Sequence, residues 1–211
     1  MIRLFKYRCF TSTTDKDRLQ QLLYRREIYC PTPPELDDPY DCNIGTADHL
    51  MGMLIKFGVF CACGDSHNDI LHFSHYADKH TGLCLEFTVD DGGTIGDSTF
   101  LGFVKKVNYV TNFPQFTEKN IDQLLWTKHI VWKYQDELRT IADLEHDPSK
   151  FRQFKHHELT GIRFGLKMKE EEERIIARWA QNAGLTRVLF SKARLQQDQF
   201  QLVYDSREYE K

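Results

Sequence analysis

Residues 2–10 (IRLFKYRCF) alternate apolar and polar side chains as a strand does, and Leu19, Leu22 and Leu23 then mark the apolar stripe of a helix. The run Thr14-Asp15-Lys16-Asp17 resembles a capping box at the start of that helix. Residues 27–30 predict a short second strand, broken by Pro31, Pro33 and Pro34. A loop over 35–43 (ELDDPYDCN) follows with neither period, and it gathers four acidic side chains. Its plain reading is a solvated loop; its sharper one is cation binding or substrate positioning. A short helix over 47–57 and a strand over 59–63 come next, and the glycine-containing connector 90–97 lacks the spacing of a phosphate loop. Further on, the pattern predicts a long strand over 100–110, a helix over 118–128 with Ile121, Leu124 and Leu125 on one side, and a strand over 159–165. The clearest helix covers 169–182. Glu170 to Glu173 favour its positive end, Ile175, Ile176 and Trp179 face inward, and Gly184 stops it. Strands over 187–190 and 200–204 close the chain. Irregular alternation of period-two strands with helices predicts one α+β domain over residues 1–211, with a mixed, mainly antiparallel sheet flanked by helices.

Two stretches are denser in chemistry than the rest. Over 67–87 (HNDILHFSHYADKHTGLCLEF), Ile70, Phe73 and Ala77 fall on one arc at about 100° per residue. His72, Tyr76 and His80 line an adjoining stripe, with His75 beside it. Gly82 ends the helix, and Leu83, Leu85 and Phe87 then alternate with Cys84 and Glu86 as in a strand. Such a face predicts a pocket wall; satisfied hydrogen bonds at an interface are the plainer alternative. Over 131–142, Gln135, Glu137 and Arg139 share a face if the chain is a strand and spread apart if it is a helix. At its blandest, Glu137 and Arg139 make a surface ion pair worth under about 1 kcal/mol.

Composition narrows the function classes. Of 211 residues, 41% are hydrophobic and 13% aromatic, as in a folded protein. The net charge of −3, from 28 basic and 31 acidic residues, argues against a nucleic-acid surface. The basic and aromatic run 150–157 (KFRQFKHH) is then best taken as a solvated helix face. No apolar run reaches bilayer length and residues 1–10 show no secretory pattern, so no membrane partner and a cytoplasmic location are expected. Six cysteines without paired spacing predict reduced, buried thiols rather than disulfides or a metal site.

The segments LFKYR, ELDDPYD, HYADKHTGLCLEF, WKYQDELR and GIRFG occur in this order. Together, over residues 4–165, they resemble the bacterial family catalogued as domain of unknown function 2971. Asp37 and Asp38 stand where that family has Asn-Asp, and Gln135 stands where a first glutamate is common. The pattern in turn looks like that of ADP-ribosyltransferase-like folds, in which an early strand carries Arg or His, a middle element Tyr or Ser, and a late strand glutamate. Arg8, Tyr76 and Glu137 fall in that order, and Gln135-x-Glu137 has the matching spacing.

That resemblance implies an NAD-consuming enzyme of bacterial stress or phage defence, transferring ADP-ribose to an acceptor macromolecule or hydrolysing NAD. Glu137, with Gln135 and His80, would be catalytic; Arg8, Tyr76 and Arg139 would bind NAD as substrate; no metal is implied. A carboxylate at the ribose would stabilise an oxocarbenium-like state. Two other classes stand beside it: a non-catalytic module recognising a ligand or partner, and a metal-dependent hydrolase on His72, His75, His80 and the acidic loop.

Overall fold

In the computed structural model, which describes residues 1–36, 38, 40–42, 48–64, 69–90 and 99–209, the period-two runs become strands and the amphipathic runs helices. In chain order they are β1 (Ile2–Arg8), α1 (Thr13–Arg25), β2 (Glu27–Tyr29), α2 (Asp48–Leu54), β3 (Phe57–Cys63), α3 (Asp69–Tyr76), β4 (Leu83–Val89), β5 (Lys105–Lys106) and β6 (Asn108–Val110). Then follow β7 (Thr127–His129), β8 (Glu137–Asp143), β9 (Phe151–Gln153), β10 (Leu159–Phe164), α4 (Glu170–Asn182), β11 (Leu189–Leu195) and β12 (Leu202–Arg207). The fold is α+β, and its strand pairing is mixed and mainly antiparallel. The chain divides into two compact units, one from Met1–Glu27, Gly64–Asp90 and Gln153–Lys211, the other from Ile28–Cys63 and Asp91–Arg152.

In the first unit the strand order is β12, β11, β10, β4, β1, antiparallel throughout except for the parallel β10–β11 pair. Leu83, Leu85 and Phe87 of β4 are wholly buried. α1 buries Leu19, Leu22 and Leu23 and packs on α4. Its capping box lies two residues earlier than the sequence suggests. Ser12 Oγ accepts from the Asp15 amide at 3.1 Å while the Asp15 carboxylate accepts from the Ser12 amide, because that pairing satisfies two orphan N–H groups at once. α4 also turns differently. Its buried face is Glu173, Ile176, Ala177 and Ala180, whereas Ile175 is 40% exposed and Trp179 half-buried. Glu173 can be buried because Lys192 Nζ and the Tyr209 hydroxyl donate to it at 2.5 and 2.7 Å.

In the second unit β3, β8 and β5 pair antiparallel in that order, and β6 pairs parallel with β7. Its core gathers Cys42, Leu54, Val59, Ile121, Leu124 and Leu125. Residues 100–110 do not form one strand. A 3-10 turn at Phe100–Phe103 precedes β5 and β6, so the alternation there is divided between two ladders. Residues 118–128 hold a 3-10 segment, Ile121–Trp126, which leads into β7, and the three-residue period brings Ile121 and Leu124 to the same side. A second 3-10 segment, Ile130–Gln135, ends at Asp136 in the left-handed region (φ 41°), and β8 starts one residue later. The basic and aromatic run after residue 150 is β9 and a turn rather than a helix face.

The connector 91–97, His67 and Asn68, and Asp37, Pro39 and Asn43 of the acidic loop lie outside the described residues. None of the six cysteines, all among the described residues, is in a disulfide. Among the described residues no helix is long and apolar enough to cross a membrane.

Candidate functional site

The second unit holds a buried cluster of charge. Strand alternation in β8 puts Glu137 and Arg139 on one face, and the register with β3 sets Cys63 and Cys61 opposite them. Arg139, with no exposed surface, donates from Nε to Glu137 Oε1 at 2.6 Å and from Nη1 to the Leu125 carbonyl at 2.9 Å. Its Nη2 lies 2.7 and 2.6 Å from the two oxygens of Asp41. Lys128 completes the group: its Nζ donates to Glu137 Oε2 at 2.7 Å and Gln135 Oε1 at 2.8 Å, and is 3.1 Å from Asp41 Oδ2. The left-handed Asp136 makes this possible, since it turns Gln135 off the strand and back towards Lys128.

Two anions, Asp41 and Glu137, thus face two cations, Lys128 and Arg139, and the cluster is neutral. Burial alone would raise the Glu137 pKa, but Arg139 and Lys128 outweigh it and hold the carboxyl at about 2. Burial would lower the Lys128 pKa, and the Glu137 and Asp41 charges override that and raise it. The Cys42 thiol, 3.2 Å from Arg139 Nη1, is pushed up to about 12 by burial. Glu137 is therefore ionised, rigid, and saturated on both oxygens.

A cleft of about 430 Å³ opens beside this cluster. Asp38, Asp41, Thr127 and Lys128 supply its polar wall, and Leu124, Phe113, Val131 and Trp132 its apolar one. Lys128 Nζ sits 5.2 Å from the centre of the Trp132 ring, so one cation touches both the cluster and the aromatic wall. Glu137 and Gln135 do not line the cleft; they stand behind Lys128. Of the acidic loop, Asp41 serves the cluster, while Glu35 is tied down by Tyr29, Thr32 and Lys150 at 2.7, 2.6 and 2.6 Å.

The other expected site residues lie in the first unit. Arg8 ends β1, half-buried, its pKa lowered by burial and by the nearby Arg18 charge. Tyr76 is the last residue of α3 and half-buried, its ring 6.4 Å from that of His72. His80 is not on the helix. α3 stops at Tyr76, and Asp78, Lys79 and His80 run through the left-handed region at φ 43°, 53° and 74°. The His80 ring stacks on Phe73 at 5.7 Å and its Nε2 is 3.0 Å from Ser74 Oγ, while its carbonyl accepts from the Lys167 amide at 2.9 Å. Gly165 donates to the Gly82 carbonyl at 2.9 Å. Both glycines are forced: a Cβ on Gly82 would lie 2.2 Å from the Arg8 carbonyl oxygen, and one on Gly165 would lie 2.4 Å from that of His80. The His-x-Gly segment is thus a clamped turn between β1, α3 and the end of β10.

His72 is wholly buried and stacks on Tyr7 at 5.0 Å, so it belongs to the core face of α3 rather than to a polar stripe. Among the described residues no three His, Cys, Asp or Glu side chains gather as metal ligands would. Sequence reasoning missed Lys128 and Asp41. Asp41 sat in a flagged loop, but nothing local marks Lys128. No family model, no curated protein and no solved structure matches the chain.

Proposed function

We propose that the second unit is a small-molecule recognition module whose cleft takes a planar, partly polar ligand between Trp132 and the Lys128–Asp41 wall. One observation carries this reading. The cluster is neutral and its two carboxylates are spent on Lys128 and Arg139, yet Lys128 and Asp41 reach the cleft, so the cluster presents fixed polar groups to a ligand. Sites of this kind are concave, mostly apolar, and oriented by a few convergent polar groups. Lys128 is the anchor, since Gln135, Glu137 and Asp41 fix its ammonium from three sides.

A second reading, consumption of NAD, rests on the resemblance and on one specific feature. Gln135 and Glu137, at the spacing of the resembling transferases, converge on Lys128, the one lysine among the described residues that enters the cleft. On that reading the pair acts on a ribose through or beside Lys128, and the nicotinamide lies against Trp132. Incubating the protein with NAD and following both binding and loss of NAD separates the two. Binding of NAD or another planar ligand without turnover supports recognition; turnover abolished by Glu137→Gln supports the enzyme; no planar ligand bound in the cleft sinks both.

A further inference from the structure

The first unit has a cleft of its own, of about 410 Å³, bounded by Asp69, Ile70, Arg163, Phe200, Gln201 and Tyr204. Its floor is a rigid guanidinium. Arg163 is clamped between the rings of Phe5 and Tyr204, 4.7 and 4.6 Å from its central carbon. Its Nε and Nη2 both donate to Glu86 Oε2, at 3.1 and 2.8 Å, while Arg3 occupies the other oxygen of Glu86 at 2.6 Å. Nη1 differs from the other two nitrogens. It is 3.8 Å from Asp69 Oδ2, beyond hydrogen-bond reach, and makes no hydrogen bond to any described residue. Asp69, 6% exposed, accepts from the hydroxyls of Tyr7 and Tyr204, one on each oxygen, at the cleft wall.

Charge decides what fits. Among the described residues Arg3 and Arg163 are balanced by Glu86 and Asp69, so no net charge there calls for an ion. A carboxylate would reach Nη1 only beside the Asp69 charge, and a cation would reach Asp69 only beside Arg163. A group with a carbonyl oxygen and an adjacent N–H meets both fields without either penalty. Phe200 lines the cleft as a fully exposed residue, an apolar ring with no structural work in the unit. We propose that this cleft binds a neutral planar carboxamide, its carbonyl accepting from Arg163 Nη1, its N–H side turned to Asp69 and its ring stacked on Phe200.

The test uses the full chain and three probes of one shape: benzamide, benzoate and benzamidine, neutral, anionic and cationic. Amide chemical-shift titration should place benzamide at Asp69, Ile70 and residues 200–204, with affinity about tenfold above either charged probe. Phe200→Ala, at a fully exposed position that folding does not need, should weaken benzamide by about twofold to tenfold. Benzoate or benzamidine binding as well as benzamide overturns the proposal. So do shifts confined to other residues, no binding at all, or an unaltered affinity in Phe200→Ala.

Discussion

Nη2 of Arg139 lies 2.7 and 2.6 Å from the two carboxylate oxygens of Asp41, across 98 positions of sequence. This contact joins the acidic loop to β8 in the core of the second unit. Removing its acidic half leaves Arg139 and Lys128 facing Glu137 alone, a buried excess of positive charge. Asp41→Ala is expected to lower unfolding stability by about 3–5 kcal/mol. Denaturant midpoints of wild type and variant check this; a loss below about 1 kcal/mol would mean the pair is not buried in solution.

The same cluster sets an acid limit. The folded Glu137 pKa, at about 2, is below the roughly 4.3 of an unfolded glutamate. Because the folded value is the lower one, its contribution, about 3 kcal/mol, is complete above the unfolded value and disappears as pH falls through about 2. Unfolding free energy measured from pH 6 downwards should therefore drop below about pH 4, and Glu137→Gln should flatten that part of the curve. An identical slope in the variant would assign the acid sensitivity to other carboxylates.

Glycine substitutions should sort by what their Cβ meets. Gly82→Ala drives a methyl group to 2.2 Å from the Arg8 carbonyl, and Gly165→Ala to 2.4 Å from that of His80, both backbone atoms that cannot step aside. Each should cost about 3 kcal/mol or more, at the top of the overpacking range. Gly52→Ala, in α2 with nothing within 4 Å, should instead gain about 0.5–1 kcal/mol. Thermal melts of the three variants check the order, and a benign Gly82→Ala would contradict the clamped turn.

What the sequence disclosed follows the range of the forces involved. α1 was legible because a helical stripe is written within one turn of its neighbours, as with Leu19, Leu22 and Leu23. The span of α4 was legible too, though its buried face turned to Glu173 and Ala180 in place of Ile175. β4 was legible because Leu83, Leu85 and Phe87 alternate towards a core. His80 was misplaced because Gly82 looked like the helix stop, whereas its lack of a Cβ serves the approach of the Arg8 carbonyl after the helix has already ended. Residues 100–110 alternate, yet two different ladders take up the alternation. Lys128 was invisible for a further reason: its partners Asp41, Gln135 and Glu137 come together only after β7, β8 and the loop have found each other.

Three changes at the second unit's cleft should differ in what they take away. Trp132→Ala removes the aromatic wall but no member of the charge cluster, so it should weaken a bound planar ligand about tenfold with little loss of stability. Lys128→Met removes the anchor and leaves Asp41 and Glu137 sharing Arg139, so it should lose both affinity and stability. Glu137→Gln separates recognition from catalysis. As a recognition module the protein keeps Lys128 held by Asp41 and Gln135, and ligand affinity changes by less than about tenfold. As an NAD-consuming enzyme it loses a transition-state charge, and turnover falls by a hundredfold or more, about 3 kcal/mol, while binding persists. Calorimetric affinities, NAD turnover and melting temperatures for the three variants decide the matter. If Trp132→Ala leaves affinity unchanged while the ligand still binds, the cleft described here is not the binding site.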